Sequence, residues 1–185
     1  MSAELLVRPC APTLAGLTPA NMFTCAFESE AAMREHLRKL NRMFVKKGLC
    51  AIPLRYRKGK ALIYVFRPDR LREDLCDREA CAILRQQGYA DGAAMPCLNR
   101  LIRRMHETGD IPHEIGLFLG YPPEDVIGFM ENRPACACPG PWKVYGDEEK
   151  ARQRFDQFKA CTRHYRERLA KGHTIDQLVT NAIKQ

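Results

Sequence analysis

The segment LCAIPLRYRKGKALIYVF, residues 49–66, decides the fold class because both halves are rich in aliphatic and aromatic residues and Lys58-Gly59 separates them. This pattern predicts a β-hairpin of two antiparallel strands. Pro53 cannot donate a ladder hydrogen bond, so we expect the first strand to be an edge strand or to carry a bulge. A short strand over residues 142–145 is predicted to pair beside the second hairpin strand and complete a small antiparallel sheet.

Helical patterns fill most of the remaining chain. Helices are predicted between Ser29 and Gly48, over residues 69–87, from Pro96 onwards, and over residues 147–171. Residues 9–27 are predicted to form a loop with two short helical turns. The predicted fold class is therefore α+β and mostly helical, in a single domain over residues 1–185.

The segment HEIGLFLGYPPEDVIGFM, residues 113–130, carries two short helical patterns joined at a turn that Gly120 would make. Its apolar positions follow the spacing of a helix-turn-helix: Ile115, Leu119, Val126 and Phe129. With the helix from Pro96 it forms a predicted tri-helical unit over residues 96–131. The second helix, however, begins with Pro122, Pro123 and Glu124, and none of these side chains suits a base edge.

Charge and composition limit the classes of function. The chain has 185 residues and a formal net charge of +8, which favours association with nucleic acid, an anionic surface or acidic partners, but also serves solubility alone. No apolar run is long enough to span a bilayer. Because no secretory leader pattern opens the chain, we expect a cytoplasmic protein whose nine cysteines are core residues, metal ligands or reactive thiols rather than disulfides.

Cys10 is the first candidate for a reactive thiol. It lies shortly before a helix start predicted at Pro12 and two residues after Arg8, and both features would stabilise a thiolate. The alternative is a small buried core residue. His113 and Glu114, at a predicted helix start, are suited to act as its catalytic partners through acid–base chemistry, or as a simple helix cap and a surface histidine.

Cys136 and Cys138 are candidate metal ligands. In an extended chain the two thiols of a C-x-C pair lie on one face, so both could bind one iron or zinc ion. Cys10 and His113 could supply the two further ligands if the fold brought them together. The alternative is a loop that contains two cysteines.

Further candidates would bind an anion or a flat ligand. Four cations recur every four residues on the first long helix, where they would repel one another unless an anionic partner relieved them: Arg34, Arg38, Arg42 and Lys46. The alternative is an ordinary solvated face. Trp142 and Tyr145 are candidate stacking platforms for a base or a flat cofactor, or else anchors of the core.

Three motifs, CAPTLAG (residues 10–16), HEIGLFLGYPPEDVIGF (residues 113–129) and WKVYGD (residues 142–147), resemble those of a domain-of-unknown-function family of anaerobic Gram-positive bacteria. The likeness covers nearly the whole chain but implies no established activity. Members of that family tend to be encoded near flavodoxin and ferrous-iron transport genes, so the resemblance implies iron or redox metabolism.

Three functional hypotheses follow. The first is a thiol-dependent, iron- or redox-linked protein that uses Cys10 with His113 and Glu114. The second is a nucleic-acid-binding protein that uses the tri-helical unit and the basic helix, and the third is a protein–protein adaptor.

Overall fold

The computed structural model of the chain describes residues 1–90, 94–136 and 138–180. It contains two compact units, which are treated separately below. Unit 1 comprises Met1–Asp69 and Ala160–Gln185, and unit 2 comprises Arg70–Lys159. The described residues are mostly helical and include a three-stranded antiparallel sheet, which confirms the predicted α+β class. The single domain over residues 1–185 stays a prediction.

The elements follow one another along the chain as a mixture of helices and three strands: α1 (Ala3–Ala15), β1 (Ala20–Ala26), α2 (Glu30–Phe44), a 3-10 turn (Val45–Lys47), β2 (Cys50–Arg57), β3 (Lys60–Phe66), α3 (Pro68–Leu75), α4 (Arg78–Gln86), α5 (Ala94–Thr108), α6 (Ile115–Phe118), α7 (Pro123–Met130), α8 (Glu148–Ala170) and α9 (Ile175–Leu178). Among the described helices, none is long and apolar enough to cross a membrane.

The sheet of unit 1 has the strand order β1-β3-β2. The predicted hairpin forms, with Lys58 and Gly59 both at positive φ as a tight hairpin turn requires, and the expected irregularity falls between Pro53 and Arg55. The predicted third strand over residues 142–145 is wrong. The third strand is β1, whose Phe23 faces Ile63 on β3, whereas residues 142–145 lie in unit 2 and fold around a buried carboxylate described below.

Helix α1 corrects the prediction of a loop over residues 9–27. The helix runs through Pro9 and Pro12, each of which removes one backbone hydrogen bond to the residue four positions earlier. The carbonyl groups left without that partner belong to Leu5 and Arg8, and both residues are exposed, so water can replace the lost donor. The two prolines are tolerated inside the helix because water can reach the exposed residues whose carbonyl groups lost their donors.

The core of unit 1 lies between α1, α2 and one face of the sheet. It is built from fully buried aliphatic and aromatic side chains, which include Leu6, Val7, Leu14, Met33, Leu37, Phe44, Ala61, Ile63 and Val65. Helix α2 supplies three of these residues, Met33, Leu37 and Phe44. Leu178 and Val179 close the same core from the far end of the chain.

The tri-helical segment of unit 2 forms as α5, α6 and α7. Gly120 takes the left-handed conformation that the turn requires, with φ of 75°. A β-carbon on Gly116 would lie 2.7 Å from Cγ2 of Val126, so α6 and α7 approach each other closely at this glycine. Phe129 does not join the core as its spacing suggested, because 37% of its surface is exposed.

The single helix predicted over residues 69–87 is two helices, α3 and α4. Oδ1 of Asp77 accepts hydrogen bonds from the backbone N–H groups of Glu79 and Ala80 and so starts α4 as a new helix. The sequence analysis missed this N-cap because the helical spacing of apolar residues continues from α3 into α4.

Candidate functional site

Cys10 lies in the interior of α1, not before a helix start, because the helix begins at Ala3 after the N-cap Ser2. Its side chain is fully buried, and this burial raises the pKa of the thiol far above its ordinary value. The helix start predicted at Pro12, which would have stabilised a thiolate, is therefore absent. Cys10 also belongs to unit 1, whereas His113 and Glu114 belong to unit 2.

Glu114 is a buried structural carboxylate in unit 2. Its Oε1 accepts a hydrogen bond of 2.8 Å from the Tyr89 hydroxyl and forms an ion pair of 2.6 Å with Nη1 of Arg104. The same Arg104 atom donates to the carbonyl oxygen of Gln87 at 3.1 Å. Burial, together with the hydrogen bond to Glu114, raises the pKa of Tyr89. These contacts occupy the carboxylate that the sequence assigned to acid–base chemistry.

His113 lies outside this buried network although it directly precedes Glu114 in the sequence. Its side chain is exposed, and its ring meets the edge of Phe129 with the two ring centres 4.9 Å apart. Lys143 lies over the same Phe129 ring, with its Nζ 5.6 Å from the ring centre. The structure therefore does not bring His113 and Glu114 to one reacting group.

Asp125 is the buried residue that sequence reasoning missed. Its Oδ2 accepts a hydrogen bond of 2.7 Å from the Trp142 indole, and its Oδ1 accepts the backbone N–H groups of Tyr145 at 2.6 Å and Gly146 at 2.9 Å. Only 4% of Asp125 is exposed. The signal that could have indicated it is an Asp directly before the apolar residues of a short helix. The carboxylate joins α7 to the loop that carries the WKVYGD motif.

Glycines permit this close approach. A β-carbon on Gly128 would overlap the Tyr145 ring, and one on Gly146 would lie 2.6 Å from Cγ of Glu124. Both glycines belong to the quoted motifs, as does Asp125. The motif residues thus meet one another in the interior of unit 2, and their sequence pattern is explained by packing.

Trp142 and Tyr145, the proposed stacking platforms, are already in contact with protein groups. Trp142 stacks on Tyr121 with ring centres 4.6 Å apart and receives the edge of Phe155 at 4.5 Å. Arg154 lies over the Trp142 ring at 5.6 Å. These contacts fit the alternative interpretation, in which the tryptophan anchors a core.

Cys136 and Cys138 lie in a small apolar cluster with Val144 and Phe155, and Cys138 is buried. Within residues 1–90, 94–136 and 138–180, no three His, Cys, Asp or Glu side chains are grouped so that they could hold a metal ion. Neither Cys10 nor His113 therefore supplies the further ligand that the iron or zinc interpretation needs. The loop interpretation fits these contacts.

The two units differ sharply in charge. Unit 1 contains 17 Lys and Arg against 7 Asp and Glu, a net of +10, whereas unit 2 contains 13 against 15, a net of −2. The whole excess of positive charge that the composition shows is therefore in unit 1. This unit also carries the basic helix α2.

The four cations predicted on the first long helix are not equivalent, and Lys46 lies beyond α2 in the 3-10 turn Val45–Lys47. Arg34 forms an ion pair of 2.6 Å with Glu30, and Arg38 lies 3.9 Å from the carboxylate of Glu35. These acidic neighbours relieve part of the repulsion that the spacing predicts. Two cations remain exposed and have no ion pair anywhere in the described part of the chain: Arg42 and Lys46.

A second group of cations lies at the tip of the hairpin. Arg57, Lys58 and Lys60 are exposed, and no carboxylate of the described ranges pairs with any of them. The N–H of Phe27 donates to the carbonyl oxygen of Gly59 at 2.9 Å, so the tip is joined to the segment that leads directly into α2. The tip and the first turn of α2 are thus neighbours.

Helix α7, the counterpart of a base-reading helix, has no cation at all. Its exposed side chains include Glu124 and Phe129, and Glu131 follows it. Its Gly128 side lies against Tyr145. The phosphates of a nucleic acid would therefore meet a negative and partly covered helix.

Together the fold and these sites define a small α+β protein with one strongly basic unit and buried polar networks. A family model described as "Protein of unknown function (DUF3793)" matches residues 6–179, and the chain belongs to this family. No curated protein matches the chain. No solved structure matches it either.

Proposed function

We propose that this protein binds nucleic acid through its phosphates, using the exposed cations of unit 1 and reading no base sequence. We call these cations the basic surface: Arg38 and Arg42 of α2, Lys46 of the 3-10 turn that follows it, and Arg57, Lys58 and Lys60 of the hairpin tip. Neutralisation of phosphates by lysine and arginine is the main source of sequence-independent affinity.

The main support for the proposal is the uneven distribution of charge between the two units. Charge that served solubility alone could lie on either unit, yet unit 1 has a net charge of +10 and unit 2 of −2. A field of one sign on one unit attracts a polyanion and orients it.

The geometry of the basic surface supports an extended ligand. Arg38 and Arg42 lie one turn apart on α2, about 6 Å along the helix axis, and Lys46 follows in the 3-10 turn that continues from the helix. The hairpin tip adjoins the other end of that helix through the hydrogen bond between Phe27 and Gly59. Cations that follow one another along a helix suit a row of backbone phosphates.

The tri-helical unit has no part in this proposal. Helix α7 presents carboxylates where a reading helix presents donors to base edges. Binding is therefore expected to be the same for unrelated sequences. Neither the thiol hypothesis nor the adaptor hypothesis has an observation of this kind in its favour.

Fluorescence anisotropy with short labelled RNA and DNA of random sequence tests the proposal. We expect binding at low salt, and a loss of about tenfold or more in affinity for the double variants Arg42→Gln/Lys46→Gln and Arg57→Gln/Lys60→Gln. The matched control, Arg103→Gln/Lys150→Gln, removes the same charge from exposed positions of unit 2 and should bind as the wild type does. Absence of binding at low salt, or an equal loss in the control, would reject the proposal.

A further inference from the structure

The two edges of the sheet in unit 1 are protected very differently. On β2, the side-chain amide of Asn41 donates to the carbonyl oxygen of Ala51 and accepts its N–H, both at 2.8 Å. Pro53 and the bulge beside it interrupt the same edge further along. Side-chain capping, proline and bulges are the devices that keep an edge strand from pairing with another chain.

Strand β1 forms the other edge of the sheet, and part of its outward backbone is still able to pair with a further strand. Phe27 N–H donates to the Gly59 carbonyl, and the carbonyl of Pro19 accepts Arg67 N–H, so the odd-numbered residues of this segment direct their backbone groups towards β3. The backbone groups of the even-numbered residues consequently point away from the sheet. Of these, Met22 N–H is bonded by the side chain of Asn21.

The outward N–H groups of Thr24 and Ala26 have no acceptor among the residues that the structure describes, and both residues are exposed. The strand sequence ANMFTCA has no charge and no proline. Its ladder with β3 is continuous over all seven residues, without a bulge. An edge of this kind is a template for one more strand.

We propose that β1 pairs in the antiparallel sense with β1 of a second copy of this chain, which joins two sheets in the order β2-β3-β1-β1-β3-β2. A two-fold axis makes such an interface self-complementary. Because β1 is uncharged, its seven residues can lie opposite their own copies without any like-charge pair.

The position of the basic hairpin tip fixes the direction of pairing. Lys60 pairs with Ala26, so the tip lies at the C-terminal end of β1. Antiparallel pairing places the tips of the two copies at opposite ends of the joined strands. Parallel pairing would bring the two cationic tips together, at a cost in repulsion.

This dimer goes beyond the proposed function and responds to salt in the opposite way. Two copies of unit 1 repel each other because each carries a net charge of +10. Added salt screens this repulsion and should strengthen the dimer, whereas salt weakens binding to phosphates. Failure of one proposal is thus distinguishable from failure of the other.

Sedimentation velocity of the full chain over a range of protein and salt concentrations tests the dimer. We expect a monomer–dimer equilibrium that shifts towards the dimer as salt rises. Thr24→Pro removes an outward N–H and leaves the β1–β3 ladder intact, so it should weaken the dimer about tenfold or more. Thr24→Val keeps that N–H and is the matched control, with dimerisation unchanged.

Two further measurements keep the test decisive if the proline variant does not fold. Thr24→Lys places like charges near the two-fold axis and should also give a monomer. Hydrogen exchange at the Thr24 and Ala26 amides should slow as the dimer forms. A monomer under all conditions, a dimer that both variants leave intact, or protected amides in a particle of monomer mass would each overturn the proposal.

Discussion

Asp125 illustrates how a single buried carboxylate holds distant parts of unit 2 together. Replacing it by Ala would remove the acceptor of three donors: the Trp142 indole and the backbone N–H groups of Tyr145 and Gly146. We expect Asp125→Ala to lower the free energy of unfolding by about 2–4 kcal/mol. Urea denaturation measures this loss. Glu124→Ala, at the exposed neighbouring position, is the control and should change stability little; equal losses would contradict the role given to Asp125.

The accessibility of each cysteine is a second property that is determined at the scale of single residues. Cys10 is fully buried, Cys161 is half-buried with its thiol pKa raised by burial to about 11, and Cys76 is exposed. Alkylation followed by mass spectrometry should therefore modify Cys76 first and Cys10 only on unfolding. Because the raised pKa leaves little thiolate at neutral pH, the rate at Cys161 should keep rising with pH until about pH 11. Fast modification of Cys10 in the folded protein would restore the thiol hypothesis.

At the scale of elements, the α6–α7 turn depends on the left-handed conformation of Gly120. A β-branched side chain is strained at positive φ, so we expect Gly120→Val to lower the free energy of unfolding by about 1–3 kcal/mol. Asn tolerates this conformation better, and Gly120→Asn should lose clearly less. Thermal melts of both variants provide the measurement. Equal melting temperatures for the wild type and Gly120→Val would show that the turn does not depend on this residue.

The elements also show what local sequence can predict. The hairpin, α2 and α8 follow from periodicity and turn chemistry, and the capping box of Thr174 with Gln177 forms as its spacing predicts. Helix α1 was missed because proline is read as a helix breaker, although its lost bonds face solvent here. Strand β1 was missed because its short sequence, ANMFTCA, shows no clear alternation of apolar and polar residues. The strand depends on its pairing with β3, which local sequence does not reveal.

The exposed cations of the candidate site could be read from the sequence in part, whereas the buried polar contacts could not, because they join residues that are distant in sequence. The buried guanidinium of Arg67 donates from Nε to the carbonyl oxygen of Thr13 and from Nη2 to those of Leu14 and Thr180. It thereby places a cation at the C-terminal end of α1, where the helix dipole favours one. No local pattern links Arg67 to partners 53 to 113 residues away.

At the scale of the whole molecule, the quoted motifs and the function proposed for the protein lie in different places. The CAPTLAG motif forms the end of α1, where Gly16 has φ of 81°, and the other two motifs meet around Asp125. These motifs are accounted for by the fold. The proposed function instead lies on exposed arginines and lysines of unit 1, which no motif contains.

The salt dependence of nucleic-acid affinity tests this account most directly. The logarithm of the association constant should fall linearly with the logarithm of salt concentration, with a slope of about −0.9 for each phosphate neutralised on duplex DNA. Arg42→Gln/Lys46→Gln removes two of the proposed contacts, so its slope should be shallower by about 2, while Arg103→Gln/Lys150→Gln keeps the slope of the wild type. An affinity that does not fall with salt, or the same slope in all three proteins, would contradict the assignment of phosphate binding to unit 1.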